Sequence, residues 1–88
     1  GEIDHHNAAG LRSKIDEAVE NACPEVLVLD FGGVTFMDSS GIAVVINALR
    51  SMTRIEGKLQ LSGLKHQPMK VFRASGIDKL VDIKEEIK

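Results

Sequence analysis

The stretch that decides the fold of this chain is TFMDSSGIAVVINAL (35–49), in which an aspartate and two serines separate two apolar segments. Asp38, Ser39 and Ser40 are of residue types favoured at helix N-caps, because their oxygens accept hydrogen bonds from unpaired backbone amides. The pattern therefore predicts a helix that begins at about Ser39 and ends at about Ile55. A helix cap accounts for the aspartate and one serine. The second serine is left without a structural role, so it is a candidate functional residue.

The predicted helix has two different faces when residues are placed 100° apart. Its apolar stripe consists of Ile42, Val45, Ile46, Leu49 and Met52, and its other side consists of Ser40, Val44, Asn47 and Ser51. Val44 is apolar among polar neighbours, so we expect it to be exposed and to contact a partner. Gly41 leaves the helix start open to close approach, and the same periodicity makes Ser40 more exposed than Ser39.

Length and composition restrict the chain to one small domain. With 88 residues, 43% hydrophobic and 27% charged, it has room for a single modest core. The formal net charge is −2 and there is neither Trp nor Tyr, so we expect no nucleic-acid partner. The apolar runs fall far short of the ~20 residues that cross a bilayer, so we expect no membrane partner. Cys23 has no second thiol, which favours a reduced, partly buried cysteine in a cytoplasmic protein.

Helices and strands are predicted to alternate along the chain. The predicted elements are a helix over 7–22, a strand over 26–29, the helix over 39–55, a strand over 58–63, a helix within 66–76 and a strand over 79–83. The strand over 26–29 is apolar throughout, as expected of a strand covered on both faces. This order predicts an α/β layer with parallel neighbouring strands and right-handed crossovers.

Both ends of the chain resemble parts of longer elements. GEI (1–3) reads as the tail of a strand, and KEEIK (84–88) reads as the beginning of a helix. A sheet of three short strands also leaves an unpaired strand edge, which invites pairing with another chain. We therefore expect that a homodimer, formed by strand exchange or edge pairing, could complete the sheet.

The serine pair lies where a helix start would tolerate an anion. Free amides and the helix dipole favour negative charge at a helix N-terminus. A phosphate on one of these serines would add about −1.5 to −2 charges beside Asp38. A partner that buries the neutral hydroxyl would then face a poorly paired dianion, so phosphorylation could switch binding without refolding the domain.

Three segments resemble the STAS domain of the anti-sigma factor antagonist family: GEIDHH (1–6), VLVLDFGGVTFMDSSGIAVVI (26–46) and MKVFRASGIDKLVDI (69–83). The specific part is FMDSSG after a strand that ends in VLDF. The resemblance implies an α/β, STAS-type single domain over residues 1–88, with helices packed on a β-sheet. It also implies that the usual N-terminal strands and most of the C-terminal helix are lacking.

The same resemblance implies a binding protein without catalytic residues, metal or cofactor. Members of the family bind an anti-sigma factor that is also a serine kinase, and so release a sigma factor. That kinase phosphorylates the first serine of DSSG, which is Ser39 here, and ends the interaction. By position, Asp38 and Ser40 flank the phosphoacceptor and Asp4 lies in a neighbouring loop. With Gly41 and Val44, these residues form the predicted docking face.

Other functions are consistent with parts of the sequence. A serine hydrolase would use Ser39 or Ser40 with His5 or His6 as base, although no G-x-S-x-G motif is present. A receiver domain would use Asp30 as the phosphate acceptor, although no acidic pair follows an earlier strand. Similar STAS domains also serve as protein-binding modules of stress-sensing complexes, anion transporters and lipid-transport complexes.

A metal site is a further alternative at the start of the chain, with Glu2, Asp4, His5 and His6 as its ligands. Adjacent histidines on an extended segment point to opposite faces, so they seldom bind one ion. Loop histidines are the simpler interpretation.

Overall fold

The computed structural model describes residues 2–4 and 6–84. Its elements are β1 (Glu2–Ile3), α1 (Ala8–Ala22), β2 (Val26–Asp30), β3 (Phe36–Met37), α2 (Ser39–Arg54), β4 (Lys58–Ser62), α3 (His66–Ser75), a 3₁₀ turn (Ile77–Lys79) and β5 (Asp82–Lys84). The alternation predicted from the sequence is confirmed. The strand tail expected in GEI is present as β1, whereas β3 was not predicted. The helix expected over KEEIK (84–88) lies outside the described residues except for Lys84, which is the last residue of β5.

All strand pairs of the described residues are parallel, as predicted. One sheet has the order β2-β4-β5, and β1 pairs with β3 in a second, two-stranded sheet. Leu27 of β2 is level with Leu59 of β4, and Ile3 of β1 is level with Met37 of β3. Parallel strands need long crossovers, and α2 and α3 supply those that lead to β4 and β5.

The prediction that the β2 strand is covered on both faces is wrong. Leu27 and Leu29 pack against the core, but Val26 and Val28 are 44% and 50% exposed. Val28 is level with Gln60 of β4, so it shares a face with the polar residues of that strand. Within the described residues, the helices cover one face of this sheet and leave the other open.

The core is organised around α2. Val45, Ala48 and Met52 are fully buried on this helix, which lies between α1 and β4. On the far side of the core, Phe31 and Phe72 meet edge to face with ring centroids 5.6 Å apart. Edge-to-face contact is a favoured geometry for aromatic pairs, and it joins the end of β2 to α3.

The polar side predicted for α2 faces another helix, not solvent. Asn47 Nδ2 and Ser51 Oγ donate to Asp16 Oδ1 of α1 at 3.0 and 3.2 Å. Val44 lies on the same side and is only 3% exposed, so the prediction that it is exposed is wrong. The physical reason is that α2 packs against two neighbours, which buries a wider arc than one apolar stripe.

The residues that flank α1 and α3 differ in how well the sequence predicts them. Cys23 follows α1 in a left-handed conformation and is exposed, so the expectation of partial burial is wrong. Pro68 and Gly76 do stand near the start and just past the end of α3, as predicted, and Gly76 has φ 82°. In the described ranges 2–4 and 6–84, no helix is both long enough and apolar enough to span a bilayer.

The packing directly before β4 can be tested by a substitution at Gly57, with a substitution at Gly10 of α1 as the control. A Cβ at Gly57 would lie 3.0 and 3.1 Å from the carbonyl oxygens of Pro24 and Glu25 and closer still to Met52, so we expect Gly57→Ala to destabilise the fold. The expected loss is about 1–3 kcal/mol in chemical denaturation. The control is Gly10→Ala, where a Cβ meets nothing within 4 Å inside α1, and we expect a gain of about 0.5–1 kcal/mol. Equal effects of the two variants would contradict this account.

Candidate functional site

Asp4 and Asp38, two of the predicted docking residues, lie where two neighbouring parallel strands end. The carboxyl ends of parallel strands meet at one edge of a sheet, which is the usual position of binding sites in α/β proteins. The loop after β1 begins at Asp4, and the loop after β3 is Asp38. The Asp38 amide donates to the Ile3 carbonyl at 3.1 Å, which fixes the two chain segments side by side. The structure thus brings the Asp4 loop and the DSSG motif together.

Asp38 is the N-cap of α2. Its backbone is extended, and its Oδ1 accepts from the Ser40 amide at 2.7 Å. The Asp38 carbonyl also accepts from the Gly41 amide at 3.0 Å, which closes the first turn. The carboxylate therefore holds the backbone on both sides of Ser39 in a defined conformation, as the N-cap pattern predicts.

The two serines differ in exposure, and in the opposite sense from the periodicity prediction. Ser39 is exposed, whereas Ser40 is half-buried. The uniform rotation of 100° per residue fails here because the Asp38 cap sets the geometry of the first turn, so the side-chain directions there differ from those in the rest of the helix. Ser39 is thus accessible at the tip of a helix N-terminus, where an anion is electrostatically favoured.

Gly41 has a different role from the one predicted. It is buried, and a Cβ there would lie 2.8 and 2.9 Å from Cε and Sδ of Met37. The space left by the missing side chain is therefore taken by Met37, which is fully buried. The expectation that Gly41 leaves the helix start open is wrong, because Met37 occupies that space.

Asp4 shapes its own loop. Its Oδ1 accepts from the amides of His6 and Asn7 at 2.9 and 3.2 Å, and Asn7 Oδ1 accepts from the Asp4 amide at 3.0 Å. Asp4 and Asn7 thus each accept from the other's backbone amide, and these hydrogen bonds stabilise the entry into α1. Asp4 is half-buried, so its side chain is still partly exposed to solvent next to the DSSG motif.

Gln67 also belongs to this site, and its sequence context did not predict it. Its side-chain amide makes two hydrogen bonds with the backbone of Met37, directly before Asp38. Gln67 lies 30 residues further along the chain, and a single glutamine at the start of a helix has no pattern that announces such a contact.

The structure also describes residues of two alternative sites, the phosphate acceptor Asp30 and the metal site at the start of the chain. Asp30 closes β2, because its Oδ1 accepts from the Gly32 amide at 2.8 Å. The four-residue metal site includes His5, which lies outside the described residues. Across 2–4 and 6–84, no group of three or more metal-ligating side chains is assembled.

An apolar groove of about 370 Å³ runs between α1 and β2. Its lining includes Ile3, Leu11, Ile15, Val28, Phe31 and Val44. No strand of the described residues pairs with the edge of β2 beside it. The groove therefore combines apolar side chains with an open strand edge.

Comparison with known proteins identifies the family. The STAS domain model matches residues 1–88, and the chain belongs to the STAS domain family. The chain is 32% identical over 87 residues to the anti-sigma F factor antagonist of Lysinibacillus sphaericus, covering 98% of this chain and 74% of that protein. It is 34% identical over 67 residues to YvdB of Bacillus subtilis, provisionally a sulfate transporter, covering 76% of this chain and 12% of YvdB.

A solved structure with the same fold is the Bacillus cell fate determinant SpoIIAA in its phosphorylated form. It superposes with a TM-score of 0.72 at 30% identity, covering 98% of this chain and 78% of SpoIIAA. The α/β architecture with parallel strands is therefore that of a STAS domain.

The cap at Asp38 can be tested by comparing two substitutions. Asp38→Ala removes the acceptor for the Ser40 amide, so we expect a loss of about 0.5–2 kcal/mol of unfolding free energy. Asp38→Asn keeps an acceptor oxygen and is expected to retain most of the stability. Ser39→Ala, at an exposed side chain, serves as the control and should have little effect. The three variants are compared by urea denaturation, and equal stability of Asp38→Ala and wild type would contradict the assigned cap.

Proposed function

We propose that this protein is an anti-sigma factor antagonist, which binds an anti-sigma factor with serine kinase activity and is released by phosphorylation of Ser39. The observation that carries the proposal is the exposed Ser39 at the capped N-terminus of α2, in a STAS domain similar to named antagonists. SpoIIAA, to which it is also similar, is known in a phosphorylated form. Binding by the unmodified protein would free the sigma factor that the partner holds.

The electrostatics of the site support a switch that leaves the fold unchanged. A phosphate on Ser39 would sit at the positive end of the α2 dipole, where it is tolerated in the free protein. It would add about −1.5 to −2 charges next to the carboxylates of Asp38 and Asp4. A partner surface complementary to the neutral hydroxyl would have to bury an unpaired dianion. A loss of ~3–5 kcal/mol would weaken binding by roughly 10²–10³-fold.

The proposed docking face consists of Asp4, Asp38, Ser39 and Ser40. Val44 and Gly41, which the sequence placed on the same face, are buried. In this scheme Ser39 is the substrate of the partner kinase, and the protein itself catalyses no reaction and needs no cofactor. Its place of action would be the cytoplasm, where sigma factors act.

An alternative keeps the fold and changes the context: a STAS module of a stress-sensing complex, an anion transporter or a lipid-transport complex that acts by protein binding alone. The similarity to YvdB favours including it. The two functions differ in one observable, the modification of Ser39.

The phosphorylation of Ser39 is tested by incubating the protein with its cognate anti-sigma kinase, Mg²⁺ and ATP, followed by intact and tryptic mass spectrometry. We expect one added phosphate, retained in Ser40→Ala and lost in Ser39→Ala. Ser40→Ala is the matched control, since it removes the neighbouring hydroxyl at the same helix start. We also expect Ser39→Asp to keep the core chemical shifts of the wild type.

The other possible results of these experiments would each contradict one part of the proposal. Phosphate on Ser40 alone would preserve the switch and overturn the choice of residue. No phosphate, with the kinase active on another antagonist, would overturn the proposal in favour of the binding module. Large shift changes throughout the core of Ser39→Asp would contradict a switch without refolding.

We also propose that the protein self-associates by edge pairing of β2 with a second copy. Natural edge strands are protected by lysine, proline or bulges, but β2 reads VLVLD with two valines half exposed. Antiparallel pairing about a two-fold axis at Val28 would place the two Val28 side chains opposite each other and Val26 opposite Asp30. The paired edges would cover exposed apolar surface at the border of the groove.

Edge pairing is tested by sedimentation velocity over a concentration series. We expect wild type to dimerise and Val28→Lys to be monomeric, because two lysines would face each other across the axis. Leu80→Lys is the matched control, since Leu80 is 64% exposed and lies away from β2. A monomeric wild type at all concentrations, or equal loss of dimer in both variants, would refute edge pairing.

A further inference from the structure

Gln67 forms a side-chain clamp on the strand that precedes the phosphoacceptor. The Met37 amide donates to Gln67 Oε1 at 2.9 Å, and Gln67 Nε2 donates to the Met37 carbonyl at 3.0 Å. One side chain thus satisfies both backbone groups of one residue. A neighbouring strand would make the same pair of bonds, so the amide of Gln67 replaces a strand at this edge of β3.

Met37 needs such a partner because of the direction of its backbone groups. Alternate residues of a strand direct their backbone bonds to opposite edges, and Asp38 uses the edge that faces Ile3 of β1. The amide and carbonyl of Met37 therefore face away from β1. Met37 is fully buried, where unpaired backbone groups are costly, and β3 has only two residues to hold its position.

The clamp is anchored firmly on its other side. Gln67 is the second residue of α3, and it is half-buried. Pro68 beside it and Phe72 one turn further along are fully buried in the core. Since Pro68 lies in the first turn, its missing amide costs no helical hydrogen bond. The position of the Gln67 amide is therefore set by the core and not by the surface.

The clamp leads directly to the site. Met37 directly precedes Asp38, whose carboxylate accepts from the Ser40 amide and so spans Ser39 at the start of α2. The Met37 side chain also fills the space beneath Gly41 in the same helical turn. Any shift of the Met37 peptide would therefore move the cap and the serine with it.

We infer that Gln67 is a positioning residue for phosphoacceptor recognition: by holding the Met37 peptide, it fixes the conformation in which Ser39 is presented to the partner. The structural part of this inference concerns the protein alone. Its consequence for phosphorylation rests on the proposed function.

Two variants at Gln67 separate its two hydrogen bonds. Gln67→Leu removes both, and Gln67→Glu keeps an acceptor for the Met37 amide but offers no donor to the Met37 carbonyl at neutral pH. Val71→Ala is the control, because it removes apolar contacts of the same helix with the core. The three variants are first compared by thermal unfolding, so that later effects can be judged at known stability.

The first readout is amide hydrogen exchange by NMR on the isolated protein, which needs no partner. In Gln67→Leu we expect exchange of the Met37 amide to accelerate by about 10–30-fold, with faster local motion at Asp38 and Ser39. Gln67→Glu should protect the Met37 amide more than Gln67→Leu does. In Val71→Ala any acceleration should follow the global loss of stability. An unchanged Met37 amide in Gln67→Leu, or the same local pattern in Val71→Ala, would overturn the inference.

The second readout is the kinetics of Ser39 phosphorylation by the cognate kinase. We expect Gln67→Leu to lower kcat/KM by about tenfold through a higher KM, with Gln67→Glu intermediate, because fewer molecules present Ser39 in the bound conformation. Val71→Ala should keep the wild-type KM. If wild type is not phosphorylated, the proposed function fails while the exchange pattern still decides the role of Gln67. Equal KM values in Gln67→Leu and Val71→Ala would refute the role in recognition.

Discussion

The packing of Met37 beneath the first turn of α2 is the contact on which the site depends. The side chain occupies the space that a Cβ at Gly41 would need, so the strand and the helix approach more closely than other residues would allow. The same residue is level with Ile3 of β1 and is held by Gln67 of α3. Three chain segments far apart in sequence thus converge on one peptide unit, and the exposed serine follows two residues later.

Helix α2 joins this site to the rest of the molecule. Its buried side chains face the parallel sheet, and its polar side chains Asn47 and Ser51 bind Asp16 of α1. A helix held on two sides is a rigid support, which would suit the switch proposed at Ser39. A charge added at its exposed tip changes what a partner meets without requiring the core to repack.

The sheet is unequal in its protection. One face is covered by helices, whereas the other carries exposed valines on β2 next to polar residues on β4. The edge of β2 borders an apolar groove, so two features that natural proteins usually protect lie side by side. This combination is the physical basis for the proposed edge pairing of β2 with a second copy.

The sequence by itself determined the three main helices, the strands β2, β4 and β5 and the N-cap at Asp38, because these follow from local periodicity and from hydrogen bonds over a few residues. Their alternation was enough to predict parallel strands, whereas the two-residue β3 has no periodic pattern. The DSSG motif was also sufficient to indicate where the site lies. Only the tertiary structure decided that Ser39 is more exposed than Ser40, that Val44 is buried, and that Gly41 accommodates Met37. Each depends on which neighbour packs against a side chain, and a periodic pattern cannot say whether that neighbour is a helix or water. Gln67 is the extreme case, since its role arises from a contact 30 residues away that the local sequence does not encode.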